Sequence, residues 1–308
     1  MAIGYIVTFG LFVLGLAMLI KGSDLFVEAA TRVAKGFGVS EFLIALVLAS
    51  IATTLPEVTT SAIAAYRGFS DIALGNAIGS ALANIGLILG VSSLIMPLNV
   101  DKIAWKNSLF MIVVTLYAWF LMRDLLISRV EGFSLILIYV GFLYYLYKKH
   151  ITFEEAKEGK GNPKKEIAIL FASGLIVVIG ARLVVDSAVK IATALGVPKV
   201  VIGLTLVSIG TSLPEFANSL TATLKKIPNI SVGNVVGANI LDILMVIGIA
   251  ALIRPIKVDH TIYTFSAPLT LLVMGILAIS LRLNNRVGRK TSVVLLVLYA
   301  YFIYALYF

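Results

Sequence analysis

The sequence predicts an all-α polytopic membrane protein, with ten transmembrane helices arranged as two inverted five-helix repeats. Three observations lead there. The 308 residues are 60% hydrophobic and 13% charged, with a mean hydropathy of +1.03. Soluble domains carry about 45–50% apolar and about 25% charged residues. The apolar residues fall in long unbroken runs, such as 109–122 and 135–147, without the strict alternation of a membrane barrel. Finally, a single offset of 158 positions relates a series of unusual residues in the two halves.

The spans are expected at 3–33, 39–66, 70–96, 104–122, 131–147, 166–194, 198–224, 230–253, 260–282 and 290–307. The first and sixth are long enough to tilt or bend. Residues 2–20 lack the basic leader of a signal peptide, so they read as a membrane helix. The only substantial hydrophilic stretch, 148–165, carries Lys148, Lys149, Lys157, Lys160, Lys164 and Lys165. It is a solvated linker, too short for a regulatory domain, and it divides the chain into repeats at 1–147 and 166–308.

Basic residues set the orientation. With the linker in the cytoplasm, its side also holds Arg32, Lys35, Lys102, Lys106, Lys225, Lys226, Arg282, Arg286, Arg289 and Lys290. The opposite side holds Arg67, Arg123, Arg129, Lys199, Arg254 and Lys257. Both termini are therefore expected outside, in a cell-membrane protein. This asymmetry accounts for the net charge of +9 without a nucleic-acid partner. The bilayer is the expected partner, and a monomer suffices for the architecture.

The 158-residue offset relates Glu57 to Glu215, Gly22 to Gly180, Arg32 to Lys190 and Gly38 to Gly196. It also relates Gly75-Asn76 to Gly233-Asn234, Asn84 to Asp242, Pro97 to Pro255 and Asp101 to Asp259. A constant offset means a duplicated unit, whose densest parts are 39–96 and 198–253. Five crossings separate the copies, so they begin on opposite sides of the membrane. Secondary transporters are built this way, with sites near the midplane where discontinuous helices meet.

The chemistry concentrates in Thr53-Thr54-Leu55-Pro56-Glu57 and its copy Thr211-Ser212-Leu213-Pro214-Glu215. A carboxylate inside an apolar span is costly, which makes it a functional-site candidate. The proline leaves the carbonyl four residues earlier, Ala52 or Gly210, without its helical donor. A second polar stretch follows in each half: Asn76, Ser80 and Asn84, then Asn234, Ala238 and Asp242. Thr53 and Glu57, Ser80 and Asn84, Thr211 and Glu215, and Ala238 and Asp242 are spaced i,i+4, on one helix face each. Ser50 and Ser208 precede the glutamates by two turns on the same face.

Every candidate ligand is an oxygen. That favours Ca²⁺, Na⁺ or Mg²⁺ over zinc, copper or iron. There is no cysteine, and the two histidines, His150 and His260, fall near expected loops. A lone membrane Ser or Thr ordinarily bonds its own helix carbonyl. The glycines of Gly75-x-x-x-Gly79 and Gly233-x-x-x-Gly237 read as close-packing sites, and Asn76 and Asn234 as interhelical bonds. The three acids have no basic residue within their spans' cores. Lys21 with Asp24, and Arg182 with Asp186, read as local pairs near the membrane boundary. If Glu57, Glu215 and Asp242 are all ionised, one Ca²⁺ leaves one negative charge and three Na⁺ leave none.

With its two motifs, Ala52-Thr53-Thr54-Leu55-Pro56-Glu57 with Gly75-Asn76-Ala77-Ile78-Gly79-Ser80 and Asn84, and Gly210-Thr211-Ser212-Leu213-Pro214-Glu215 with Gly233-Asn234-Val235-Val236-Gly237-Ala238 and Asp242, the chain resembles the cation/Ca²⁺ antiporter superfamily. Within it the resemblance is to the Na⁺/Ca²⁺ exchangers, as a compact prokaryotic member, over nearly the whole chain. The resemblance implies antiport of Na⁺ against Ca²⁺ by alternating access, with ions held between helices two, three, seven and eight. Glu57, Glu215, Thr53 and Thr211 would hold Ca²⁺. Sodium would use the same glutamates with Ser80, Thr54, Ser212 and the carbonyls of Ser50 and Ser208. Asn84 and Asp242 would flank the centre, and helices one and six would slide as a gate.

Three positions depart from the family pattern: Ala52 for Gly, Thr54 for Ser, and Ala238 for a Ser that gives one sodium a hydroxyl. Ile78 and Val236 stand where Ca²⁺/H⁺ exchangers carry a glutamate, which disfavours proton coupling. Other readings in the same fold are Ca²⁺/H⁺, K⁺-assisted or Mg²⁺ exchange; a cation channel is a weaker one. No enzyme is expected: His-Glu-x-x-His and a Ser–His pair are absent. No cofactor is expected beyond the transported ions.

Overall fold

The computed structural model describes residues 2–150, 163–195 and 208–307. Most of the hydrophilic linker and the start of the seventh expected span lie outside the described residues. In chain order the helices are α1 (Ala2–Phe37), α2 (Glu41–Thr53), α3 (Leu55–Arg67), α4 (Ser70–Ile95), α5 (Ile103–Leu121) and α6 (Arg129–His150). There follow α7 (Pro163–Ala194), α8 (Ser208–Thr211), α9 (Leu213–Leu224), α10 (Pro228–Ile253), α11 (Ile262–Asn284) and α12 (Arg289–Tyr307). Among the described residues, eight of these helices are long and apolar enough to cross a membrane, and α2 with α3, bent by 45°, is long and apolar enough taken as a pair.

The bend is where the sequence places it. Pro56 is the second residue of α3 and lacks the amide hydrogen that would continue α2. Thr54 leaves helical geometry at φ −84°, ψ 0°. Ser212, before Pro214, does the same between α8 and α9, at φ −87°, ψ 7°. The bend thus separates Thr53 from Glu57 and Thr211 from Glu215, which the sequence had placed on one continuous helix.

Helices α4 and α10 form the centre: 72% and 78% of their spanning windows are buried, against 33% for α1 and α7. Each central helix contains a π-helical segment that no sequence pattern announced, Asn84–Leu89 and Asp242–Val246. A π turn inserts one residue into the helical ladder and re-aims the side chains after it. Both segments begin at a candidate site residue.

Several features recur at the 158-residue offset. Gly68 ends α3 in the left-handed region at φ 84°, and Lys226 takes φ 60° just after α9. A Cβ on Gly22 of α1 would meet Ile176 and Val177, while one on Gly180 of α7 would meet Met18 and Leu19. Each set is the other displaced by 158 positions, so the α1–α7 crossing is reciprocal, as contacts about a two-fold axis are. Two short antiparallel pairs tie the halves together. β1 (Leu98–Asn99) pairs with β4 (Arg286–Val287), and β2 (Leu126–Ile127) with β3 (Ile256–Lys257).

Two expectations change. Asp24 does not pair with Lys21 among the described residues; it pairs with Lys225 of the α9 end at 3.3 Å, and Lys225 also reaches Glu28 at 2.9 Å. Arg32 pairs with Glu166 of α7 at 2.7 Å. No Arg182–Asp186 ion pair forms among the described residues. Helices α1, α7 and α9 converge at this end, so Lys225 and Arg32 find carboxylates on neighbouring helices, Arg32 in addition to Glu28 of its own helix at 3.6 Å. The glycine reading holds for Gly233 and Gly237, whose added Cβ atoms would clash with Phe42 O, at 2.6 Å, and with Leu46 O. Gly75 and Gly79 have no such neighbour among the described residues. The counterparts of Phe42 and Leu46, at 200 and 204, lie outside them.

Candidate cation site

Glu57, Glu215 and Asp242 are all buried, at 1%, 1% and 0% exposure, inside a bundle whose outer surface is apolar. Glu57 lies within electrostatic reach of both Glu215 and Asp242. The bends at Thr54 and Ser212 put both glutamates in the first turns of α3 and α9, where free backbone amides favour a carboxylate.

The polar side chains then meet across the two halves. Thr53 Oγ1 lies 3.4 Å from Asn234 Oδ1, and Thr211 Oγ1 lies 3.4 Å from Asn76 Oδ1. Ser61 donates to the Ala73 carbonyl at 3.0 Å, and Ser219 to the Ser231 carbonyl at 3.4 Å. These are the same contacts made twice. Asn84 Nδ2 donates to Asp242 Oδ2 at 3.4 Å and to Asn239 Oδ1 at 2.9 Å.

The second layer is not symmetric. Thr54 Oγ1 donates to Glu215 Oε1 at 3.4 Å, whereas its counterpart Ser212 turns to Ser80 Oγ at 3.3 Å. The position matching Ser80 is Ala238, which offers Thr54 no hydroxyl. Glu57 consequently keeps both carboxylate oxygens without a hydrogen-bond partner, and Glu215 keeps one. Asp242 Oδ1 and Asn84 Oδ1 are also buried without partners. Buried polar atoms in native proteins are nearly always satisfied; apart from the Asn234 Nδ2 donor, the orphans gathered at the site are acceptors, which is the pattern of a cation site.

No cluster of three or more His, Cys, Asp or Glu side chains forms a metal site among the described residues. The set is mixed: carboxylate oxygens supplemented by hydroxyl, amide and backbone oxygens, which suits hard cations. Ser50 behaves as an ordinary helix serine. Its hydroxyl donates to the Leu46 carbonyl at 2.6 Å, and its own carbonyl accepts from Thr54 N at 2.9 Å. Ser208 opens α8, and its side chain lies outside the described residues.

Two counterpart cavities flank the site. One, of about 410 Å³, runs between α3 and α7 past Arg182 and Asp186 to Gly210 and Thr211. The other, of about 450 Å³, lies between α1 and α9 from Asp24 and Lys225 inward to Leu213, and Thr53 is not in its lining. The site thus has an approach to its hydroxyls from the Asp186 side.

The model of the sodium/calcium exchanger protein family matches residues 7–148 and 165–308. The chain belongs to that family. An uncharacterized membrane protein of Methanocaldococcus jannaschii is 37% identical over 94% of this chain and 95% of its own length. The sodium/calcium exchanger MaX1 of Methanosarcina acetivorans is 31% identical over 98% of this chain and 99% of its own. The crystal structure of the sodium-calcium exchanger NCX_Mj, soaked with 10 mM Na⁺ and zero Ca²⁺, superposes with a TM-score of 0.88 at 34% identity, covering 98% of this chain and 99% of that one. The two exchangers among these neighbours are transporters, and the exchanger-type antiporter fold is shared over the whole chain.

For a member of this family, the sequence understated three asparagines. Asn76 and Asn234 hold the two site threonines in addition to bridging helices. Asn239 bridges Asn84 and the Ala81 carbonyl, the latter at 2.9 Å. Its one signal was being a lone amide in the apolar run 235–241.

Proposed function

We propose that this chain exchanges Na⁺ for Ca²⁺ across the cell membrane by alternating access. The observation that carries the proposal is the set of partnerless carboxylate oxygens of Glu57 and Glu215 within the membrane-spanning core. Glu57 and Glu215, with Thr53 and Thr211, take Ca²⁺. Sodium takes the same glutamates with Thr54, Ser212, Ser80 and the carbonyls of Ser50 and Ser208, while Asn84 and Asp242 flank the centre. The names of the relatives support this choice of ions.

Ten helices as two inverted repeats make the mechanism economical. The recurrent turns, the reciprocal α1–α7 crossing and the doubled threonine–asparagine contacts support that reading. Under it, the cavity reaching Thr211 is an outer entrance, and its counterpart between α1 and α9 is an inner entrance closed off from Thr53. The termini lie outside and the linker inside.

The test is Ca²⁺ uptake into proteoliposomes under imposed Na⁺, K⁺ or H⁺ gradients. An outward Na⁺ gradient alone should drive uptake. Uptake that ignores Na⁺ and follows pH would replace this reading with Ca²⁺/H⁺ exchange, and flux far above about 10³ s⁻¹, the upper end of ordinary turnover, would indicate a channel.

A further inference from the structure

A groove away from the cation site lies between the start of α5 and the end of α6. It encloses about 660 Å³, within the roughly 300–1,000 Å³ of sites that bury small molecules. Its shaft is apolar, walled by Phe110, Ile138 and Leu146. Phe110 stacks on Phe142 at 4.3 Å and closes the floor. One end carries Lys102 and Lys106, a turn apart, both exposed and both without a carboxylate in ion-pair distance among the described residues.

Two further observations favour a ligand over a gap between helices. Gly141 sits in the wall of α6, and a Cβ added there meets nothing within 4 Å among the described residues. A mid-helix glycine costs about as much stability as a small contact contributes, so one that serves no close packing keeps space open. The cationic end also lies at the membrane boundary. Arg282 stacks 4.6 Å over Trp105, beside Lys106, and Lys148 lies 5.8 Å over Tyr144. Aromatic residues with basic partners at this depth mark the headgroup level. The flanking faces of both helices are lipid-type, with Leu109, Val113, Leu137 and Val140 exposed.

We infer that this groove holds one anionic phospholipid, its headgroup phosphate on Lys102 and Lys106 and an acyl chain along the Gly141 wall. Basic pockets between transmembrane helices recognise such headgroups. Each lysine near the headgroup contributes about a fivefold preference, so the pair gives roughly 20-fold for an anionic over a zwitterionic lipid.

Native mass spectrometry of the purified protein, titrated with dioleoyl phosphatidylglycerol or dioleoyl phosphatidylcholine, tests this. One phosphatidylglycerol should be retained at about 20-fold lower concentration than phosphatidylcholine. The double substitution Lys102→Gln, Lys106→Gln should erase that preference, and Gly141→Phe should block retention of both lipids. Inorganic phosphate at millimolar concentration should not displace the lipid. Equal retention of the two lipids, unchanged preference in the double variant, retention in Gly141→Phe or displacement by phosphate would each overturn the assignment.

Discussion

Thr54 of the first half donates its hydroxyl to Glu215 of the second at 3.4 Å, while Ser212, its counterpart, leaves Glu57 alone and bonds Ser80. One missing hydroxyl explains the difference, because Ala238 stands where a serine would complete the symmetric pair. Ala238→Ser should therefore draw Thr54 toward position 238 and free Glu215 Oε1. We expect the Na⁺ concentration for half-maximal Ca²⁺ transport to fall about threefold or more, consistent with a hydrogen bond of order 1 kcal/mol being re-routed. Na⁺ titration of Ca²⁺ uptake reads this directly, and an unchanged titration would show that the hydroxyl at 238 plays no part in sodium binding.

Glu57→Gln and Glu215→Gln should each lower Ca²⁺ transport by at least about 100-fold, since affinity at oxygen sites follows their carboxylate count. Both variants should fold. Each removes a buried charge that has lost its water, so thermal unfolding in a chelator should move up rather than down. A fall in unfolding temperature alongside lost transport would point to a structural role instead.

Asn84→Asp places a second carboxylate against Asp242 and the side-chain Oδ1 of Asn239, leaving acceptors facing acceptors. Thermal stability should drop by about 2 kcal/mol or more, the cost of unmatched buried polar groups. Adding Asp242→Asn restores one donor and one acid, and should recover at least half of the loss. A double variant no better than the sum of the singles would mean that the two sites do not interact.

Lys225 ties α9 to Asp24 and Glu28 of α1 at the edge of the cavity between α1 and α9, the inner entrance under the proposed orientation. The natural chain has no cysteine, so Thr221→Cys in that cavity gives a single reporter thiol. Adding Lys225→Gln should raise its labelling rate by a membrane-impermeant maleimide in the inner compartment about two- to fivefold, as loss of a partly exposed ion pair worth about 0.5–1 kcal/mol allows. An unchanged rate would show that the ion pair does not hold the inner entrance closed.

Gly237→Ala should be strongly destabilising, because its Cβ would clash with the Leu46 carbonyl and lie 2.7 Å from Ser50 Oγ. Overpacking against backbone typically costs about 1–3 kcal/mol. Thermal unfolding in detergent measures it, and a neutral result would mean that α2 and α10 can separate.

Much of the molecule was legible in one dimension. Hydropathy is local and additive, so ten spans could be proposed from residue type, against eight helices and one bent pair that qualify among the described residues, and prolines marked the bends at Thr54 and Ser212. What sequence spacing misjudged was continuity. Thr53 and Glu57 look like one helical face at i,i+4, but a bend passes between them. Asp24 and Lys21 look paired, but α9 brings Lys225 closer.

By itself the sequence determined that three carboxylates fall inside long apolar stretches, that the two acidic stretches recur 158 residues apart, and that only oxygen chemistry is available there. Those properties follow from composition and spacing, which need no partner. Tertiary structure decided which polar groups meet: Thr54 with Glu215, Asn84 with Asp242, and Asn239 of α10 with Asn84 and the Ala81 carbonyl of α4. The physical reason is that such contacts join residues some 150 positions apart. Their geometry depends on how closely Gly233 and Gly237 let α10 approach α2 and on the π turns at Asn84 and Asp242, which are settled only when the whole bundle packs.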